Sequence, residues 1–492
     1  MSAPRFEHSY AKLPPRFHAP ATPDPAPAPA LVRLNRALAE ELGLDAAWLA
    51  SDDGVAMLSG AKLPEGAEPI AMAYAGHQFG GWVPQLGDGR AILLGEVVAG
   101  GQRYDIQLKG AGRTRFSRAG DGKAVLGPVL REYVVSEAMA ALGVPTTRAL
   151  AAVTTGEKVF RNGPEPGAIF TRVARSHIRV GTFQYFHGRD DDEGVRLLAD
   201  YVIERHYPSL RDEAEPYRGL LLAVRDRQAA LIAQWMSLGF IHGVMNTDNT
   251  HVAGDTIDYG PCAFMDRFHP RKTFSSIDRQ GRYAWGNQPG IALWNLARLA
   301  ETLLPLFGAD EAQAISWVES ELGAFRGTFG EHFARRFRDK IGLLDDGEAQ
   351  RAHVDTTLSA MTEGEVDFTL FFRHLTALLA GDDEAPLLAL FADPERGRTW
   401  LSDWRAMLEA EDGAKGNRDV ERLERMKCAN PVFVPRNHRV EEAIQAAYVG
   451  DYAPFHRLVE VLARPFDEQP EHAELEAAPA PEEVVQRTFC GT

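Results

Sequence analysis

A single change of texture constrains this chain more than any other feature. From about residue 68 to 175 the sequence is Gly-rich, with extended runs such as AILLGEVV (91–98) and YDIQLKG (104–110). One helical pattern interrupts them: across Val129–Leu142, the side chains of Leu130, Tyr133, Val134, Ala138, Ala141 and Leu142 fall along one face. After about 190 the patterns are mostly helical. Leu293, Leu296, Ala297, Ala300, Leu303 and Leu304 recur at helical spacing until Pro305, and Gly239 closes the helix that ends near Leu238. A small strand-rich lobe with one helix, followed by a larger helical lobe, predicts an α+β fold with a cleft between the two. A chain of 492 residues also exceeds one compact core of usual size. Its ends differ in kind. Residues 14–30 are rich in Pro and Ala and predict an extended arm on the surface. Residues 465–483 carry seven acids, four prolines and no Lys or Arg, the composition of a solvated linker. The apolar VVQRTFCGT that follows is compatible with either a docked or a frayed terminus.

Charge narrows the partners. The chain has 53 Lys+Arg against 69 Asp+Glu, a net charge of −16, which argues against a nucleic-acid surface or an anionic membrane as partner. Any anionic ligand must therefore be held by a local concentration of positive charge. Three cysteines, Cys262, Cys428 and Cys490, make no disulfide framework and no C-x-x-C pair. No apolar run reaches the roughly 18–20 residues of a membrane span, and no signal-like segment opens the chain. A cytoplasmic monomer is expected.

Four segments carry candidate chemistry. GDGRAILLGE (87–96) is a Gly-Asp-Gly turn feeding a strand, which by itself reads as a hairpin turn. KGAGRTRFSRAGDGK (109–123) sets Lys109, Arg113, Arg115, Arg118 and Lys123 against the lone Asp121, with four glycines that free backbone N–H groups to approach an anion. This is the make-up of a phosphate cradle, although neither a dinucleotide fingerprint nor a P-loop is present: Arg115, Ser117 and Ala124 break both patterns. FTRVARSHIRVGTFQYF (170–186) reads as strand and holds Arg172, Arg175 and Arg179. Arg172 and Arg179 would face opposite ways on a regular strand, so only a bend would join them around phosphates. In FIHGVMNTDNTHVAGDTIDYGP (240–261), Asn246, Asp248, Asn249 and Asp258 follow an apolar stretch, and TIDYGP reads as a short strand ending at an acid. Asn and Asp oxygens on adjacent loops suit Mg²⁺ when phosphates complete its coordination. The order of strand Lys109, a helix with Glu132 and Glu137, Asp248/Asn249 and Asp258-Tyr-Gly is that of a kinase core. Helical periodicity alone leaves open which Glu would pair with Lys109.

The strings AGHQFG…PQLGDGR, LKGAG, REY..SEAM, HGVMNTDN and IDYGP, spanning roughly residues 70 to 300, resemble the selenoprotein O family of kinase-fold protein adenylyltransferases, with a further echo at NPVFVPRNH (430–438). The resemblance implies a protein-kinase-like two-lobed fold. Its expected segments are an N-terminal extension packed on the core (1–67), a β-rich N-lobe (68–185), a helical C-lobe (186–464) and an acidic tail (465–492). It implies transfer of AMP from ATP to Ser, Thr or Tyr hydroxyls of protein substrates, with ATP reversed relative to kinases and its γ-phosphate buried. Carried onto this sequence, Lys109 holds phosphate and pairs with Glu132, the Glu of REY. Gly87, Gly89, Arg90, Asp121 and Gly122 contact the nucleotide, and Arg172 and Arg179 its phosphates. Asp248 accepts the proton, while Asn249 and Asp258 bind Mg²⁺, or Mn²⁺ in its place. The sequence departs from the family at Thr114-Arg115 and at Gly127-Pro128-Val129. Phe274 stands where some members carry the cysteine that pairs with the C-terminal one, so no redox lock through Cys490 is expected. Two alternatives remain: a phosphotransferase with ordinary ATP orientation, and a catalytically silent nucleotide-binding scaffold.

Overall fold

The computed structural model describes residues 2–161, 163–308 and 310–489. Extended, Gly-punctuated runs in the first part fold into an eight-stranded antiparallel sheet. Its order is His18–Pro20, Ile70–Met72, Ala91–Ala99, Gln102–Lys109, Pro164–Ala174, Arg148–Phe160 and Ala30–Leu34, with Ala124–Val125 also paired to Pro164–Ala174. The central hairpin turns through Gly100 and Gly101, both at positive φ (55° and 78°), as a two-residue turn between right-twisted strands requires. That register sets Lys109 opposite Ala91 on one side and Phe170 on the other, and Gln107 opposite Arg172.

Both edges of the sheet come from the first 34 residues. Residues 14–30 are therefore not a surface arm: Phe17 is fully buried and His18–Pro20 pairs with Ile70–Met72. Proline is tolerated there because this is an edge strand. Three short helices follow, Arg36–Glu41, Ala46–Leu49 and Asp52–Leu58, capped by the side chains of Asn35, Asp45 and Ser51. Their Leu38, Leu49, Met57 and Leu58 pack on Ile92, Leu94, Ile106 and Leu108 of one sheet face.

The opposite face carries the helix Leu126–Ala141. Its sequence suggested one apolar face, but it is buried nearly all round, because the helices Asn437–Tyr448 and Ala453–Leu462 cover its outer side. Tyr133 meets Phe455 edge to face at 5.6 Å, and a Cβ at Gly127 would lie 2.6 Å from the Tyr448 hydroxyl. The rest of the chain is mostly helical, built around Pro216–Ser237, Gln288–Leu303 and Glu311–Ile341. Gly239 takes the left-handed conformation (φ 70°) just past the first of these. Among the described residues no helix is long and apolar enough to cross a membrane.

Three further expectations are corrected. Segment 170–186 is strand only to Ala174; a linker then bends the chain into the helix Val180–His187, with Arg179 at its N-cap. TIDYGP is not a strand: Thr256 makes one isolated bridge to Thr146, and Asp258 sits at φ 63°, which breaks any extended run. The acidic segment 465–483, expected as a solvated linker, is tethered to the helical part while most of its acids stay exposed. Arg373 holds Glu468 and Glu476, Arg457 holds Glu474, and Arg436 donates to the Glu476 carbonyl. Arginines of the helical part thus hold three of its seven acids.

Candidate active site

The strand end at Lys109, the buried helix, the bend at 175–179 and the irregular 242–260 segment converge on a cavity of about 700 Å³. Gly87, Gly89, Arg90, Lys109, Asp121, Gly122, Arg172, Arg179, Asp248, Asn249 and Asp258 all line it, and Glu132 stands behind Lys109. Seven cations face four carboxylates there, in a chain whose balance is the reverse. Lys109, Arg118 and Lys123 of the basic loop belong to this lining. Arg113 and Arg115 do not; Arg113 instead donates to the Gly120 carbonyl and ties the loop to itself.

At the centre is a buried charge network. Lys109 Nζ donates to Glu132 Oε2 at 2.6 Å and to Asp258 Oδ1 at 2.7 Å. Arg172 Nη1 donates to the same Asp258 oxygen at 2.8 Å, and Arg179 approaches Asp258 Oδ2 at 3.9 Å. Burial pushes the Asp258 carboxyl upward, but Lys109, Arg172 and Arg179 outweigh it and hold the group well below the usual carboxylate range. The helix register resolves the choice between the two glutamates. Glu132 faces Lys109, whereas Glu137 is taken by Arg148, Asn35 and the Ala149 amide.

The two arginines come together because the strand stops. Arg172, 1% exposed, is fixed by its cross-strand neighbour Gln107, which accepts from Nε and Nη2 at 3.2 and 2.8 Å. Arg179, 2% exposed, lies over the Tyr74 ring at 4.3 Å and beside Asp88 at 3.8 Å. Asp88 is itself buried and pushed up to about 6 by desolvation, which Arg179 partly offsets.

Asp248 occupies a 3-10 turn, Thr247–Asn249, beneath the hairpin Gly76–Gln78/Gly81–Val83. His77 N donates to Thr247 Oγ1 and Phe79 N to Asn246 Oδ1, so Asn246 is used to pin the loop. Gln78 Nε2 donates to Asp248 Oδ2 at 3.2 Å, while Oδ1 is buried with no hydrogen-bond partner among the described residues. Desolvation raises this carboxyl to about 6; Gln78 and Arg179 pull the other way. A Cβ on Gly76 would lie 2.8 Å from Asp248 Oδ1, so a larger residue there would displace that carboxylate. A Cβ on Gly122, at φ 72°, would fall 2.0 Å from the Gly112 carbonyl oxygen. Gln78, Tyr74, Asp88 and Arg161 were not singled out from the sequence. Arg161 holds Asp121 through two hydrogen bonds of 2.8 and 3.0 Å. Gln78 left a trace within AGHQFG and Asp88 within PQLGDGR, whereas Tyr74 and Arg161 left none.

Asn249 and Asp258, expected from the resemblance as ligands of a divalent ion, both line the cavity. Among the described residues no group of three or more His, Cys, Asp or Glu could hold a metal. A two-residue donor set fits an ion whose remaining ligands are phosphate oxygens and water.

The tail docks on the segment that follows Asp258. Thr488 N donates to the Phe274 carbonyl at 2.8 Å, Ser276 N to the Thr488 carbonyl at 3.1 Å, and Thr488 Oγ1 to the Pro261 carbonyl at 2.6 Å. Phe274 is buried, as is the free Cys262; Cys490 lies outside the described residues.

The family model described as "Protein adenylyltransferase SelO" matches residues 1–463. Relatives named protein nucleotidyltransferase YdiU align end to end. The one from a Bradyrhizobium species (strain BTAi1) is 57% identical over 489 residues, covering 99% of each chain. That from Rhizobium meliloti is 56% identical over 495 residues, covering 100% of each, and that from Rhodopseudomonas palustris is 56% identical over 492 residues, covering 99% of each. With a family model over nearly its whole length and full-length relatives at this identity, the chain belongs to the SelO family of protein adenylyltransferases.

Proposed function

We propose that this protein is an adenylyltransferase that binds ATP reversed in the cavity and transfers AMP to Ser, Thr or Tyr hydroxyls of protein substrates. The sheet region (68–185) and the helical region (186–464) would act as the two lobes of a kinase-like fold. The observation that carries the reversed orientation is the pair Arg172 and Arg179. They are buried to 1% and 2% exposure behind Lys109 and Asp258, where the most highly charged end of a triphosphate gains most from fixed guanidinium groups.

In this reading Lys109, steadied by Glu132, holds phosphate, and Gly87, Gly89, Arg90, Asp121 and Gly122 contact the nucleotide. Asn249 and Asp258 would hold Mg²⁺ or Mn²⁺, which when bound neutralises phosphate charge. The acceptor hydroxyl oxygen attacks the α-phosphorus and the bond to the β-phosphate oxygen breaks, so pyrophosphate leaves. The hydroxyl proton passes to Asp248, whose Oδ1 has no other partner and whose raised pKa suits a base working near neutrality. Arg172→Gln tests the orientation. In a variant shown to be folded by its melting transition, affinity for ATP should fall about tenfold or more, while affinity for AMP changes little. An equal loss for both nucleotides would contradict a γ-phosphate at the buried arginines.

A further inference from the structure

The helix Glu311–Ile341 ends against a second cavity, of about 440 Å³, which lies outside the nucleotide cleft and shares no lining residue with it. Its polar wall holds Arg335, Arg336, Arg338, Lys340 and, from the helix Asp419–Ala429, Arg425, with Asp339 as the one carboxylate. Arg338 is satisfied elsewhere by Asp346, and Arg425 reaches Glu421 at 2.8 Å and Asp339 at 3.7 Å. Arg335, Arg336 and Lys340 have no carboxylate within ion-pair distance among the described residues.

This imbalance is unusual in a chain with sixteen surplus acids. Arg336 and Lys340 are four residues apart on one helix face, a like-charge spacing that destabilises a helix unless something negative answers it. Arg336 Nε is buried without a hydrogen-bond partner. Lys340 is 3% exposed, with only the Ala429 carbonyl at 3.3 Å and the faces of Phe372 and Phe368 for company. Burial first and Arg336 second push its ammonium down to about 7. The helix macrodipole favours a cation in a last turn, but it explains neither the cavity nor Arg425, which arrives from a different helix. The rest of the wall is mostly apolar, with Leu142, Leu238, Leu343 and Phe466, interrupted by Gln234 and Ser237.

We propose that this cavity is a second binding site, for a small organic anion whose phosphate or carboxylate head sits on Arg335, Arg336 and Arg425 and whose apolar body lies on the leucine wall. The site touches the last residues of the two helices that lead into the catalytic cleft. Leu142 caps Leu126–Ala141, and Gln234, near the end of Pro216–Ser237, donates to the Gly143 carbonyl at 3.0 Å.

The test is calorimetric titration of the full chain with phenyl phosphate, with the cleft filled by saturating non-hydrolysable ATP analogue and Mg²⁺. Saturable binding is expected, tighter than that of inorganic phosphate, with none for phenol. Arg336→Gln and, independently, Arg425→Gln should each weaken it about tenfold or more. Thermal melting identifies the folded variants. No saturable binding by the wild type, equal or tighter binding of inorganic phosphate, or affinity in a folded R336Q or R425Q within about twofold of wild type would overturn the proposal.

Discussion

Asp248 shows how a single side chain takes its property from its surroundings. Its carboxyl is 7% exposed, has one side-chain hydrogen-bond donor, Gln78, and is pushed up to about 6 by desolvation. The sign of the stability effect follows. Relative to an uncharged isostere, a group whose folded pKa is raised supports the fold below its unfolded value near 4, and that support is lost as pH rises through about 6. Asp248→Asn should therefore be more stable than wild type at pH 8, by up to roughly 3 kcal/mol, and no more stable at pH 3.5. Its transfer activity should be lost. In the wild type kcat/KM should rise with pH up to about 6 and then level off; a flat profile from pH 5 to 8 would remove Asp248 as the proton acceptor. Asp248, Asn249 and Asp258 were legible in the sequence because they crowd one short segment after an apolar run. Gln78 and Asp88 stood within AGHQFG and PQLGDGR without an assigned role, and Tyr74 and Arg161 left no trace, because they reach the cleft only through packing between segments distant in sequence.

At the scale of elements, the helix Leu126–Ala141 positions Glu132, and its rigidity comes from helices three hundred residues further on. Phe455 is fully buried against Tyr133. Phe455→Ala should cost roughly 3–5 kcal/mol and raise the KM for ATP, since the Lys109–Glu132 pair would lose its fixed backing; Phe455→Leu should recover most of both. A melting temperature within a degree of wild type for the alanine variant would contradict that packing role. The tail makes a separate claim. The Ser276 amide donates to the Thr488 carbonyl, so a chain ending at 483 should exchange that amide with solvent much faster than the full chain. Unchanged exchange would show that the tail does not dock there in solution. The runs 91–98 and 104–110 were readable as extended, apolar segments, and the structure sets them in the strands 91–99 and 102–109. The bend after Ala174 and the tethered acidic segment were not readable. A strand's end depends on what it packs beside, and a run of acids looks solvated until the arginines that meet it are placed.

For the whole molecule, the net charge of −16 excludes nothing about ATP, because the positive charge is concentrated where two regions meet. An antiparallel sheet closed at both edges by the first 34 residues, one buried helix and a helical body position Lys109, Glu132, Arg172, Arg179 and Asp258 within one network. The family shares this chain's length, and the cleft gathers the residues proposed above for adenylyl transfer. The most direct test is incubation of the full chain with Mg²⁺ and a mixture of cellular proteins, in parallel with ATP labelled at the α- or at the γ-phosphate. The account predicts α-label bound covalently to protein, pyrophosphate released in equal amount, and loss of both in Asp258→Ala. Retention of γ-label without α-label would contradict it.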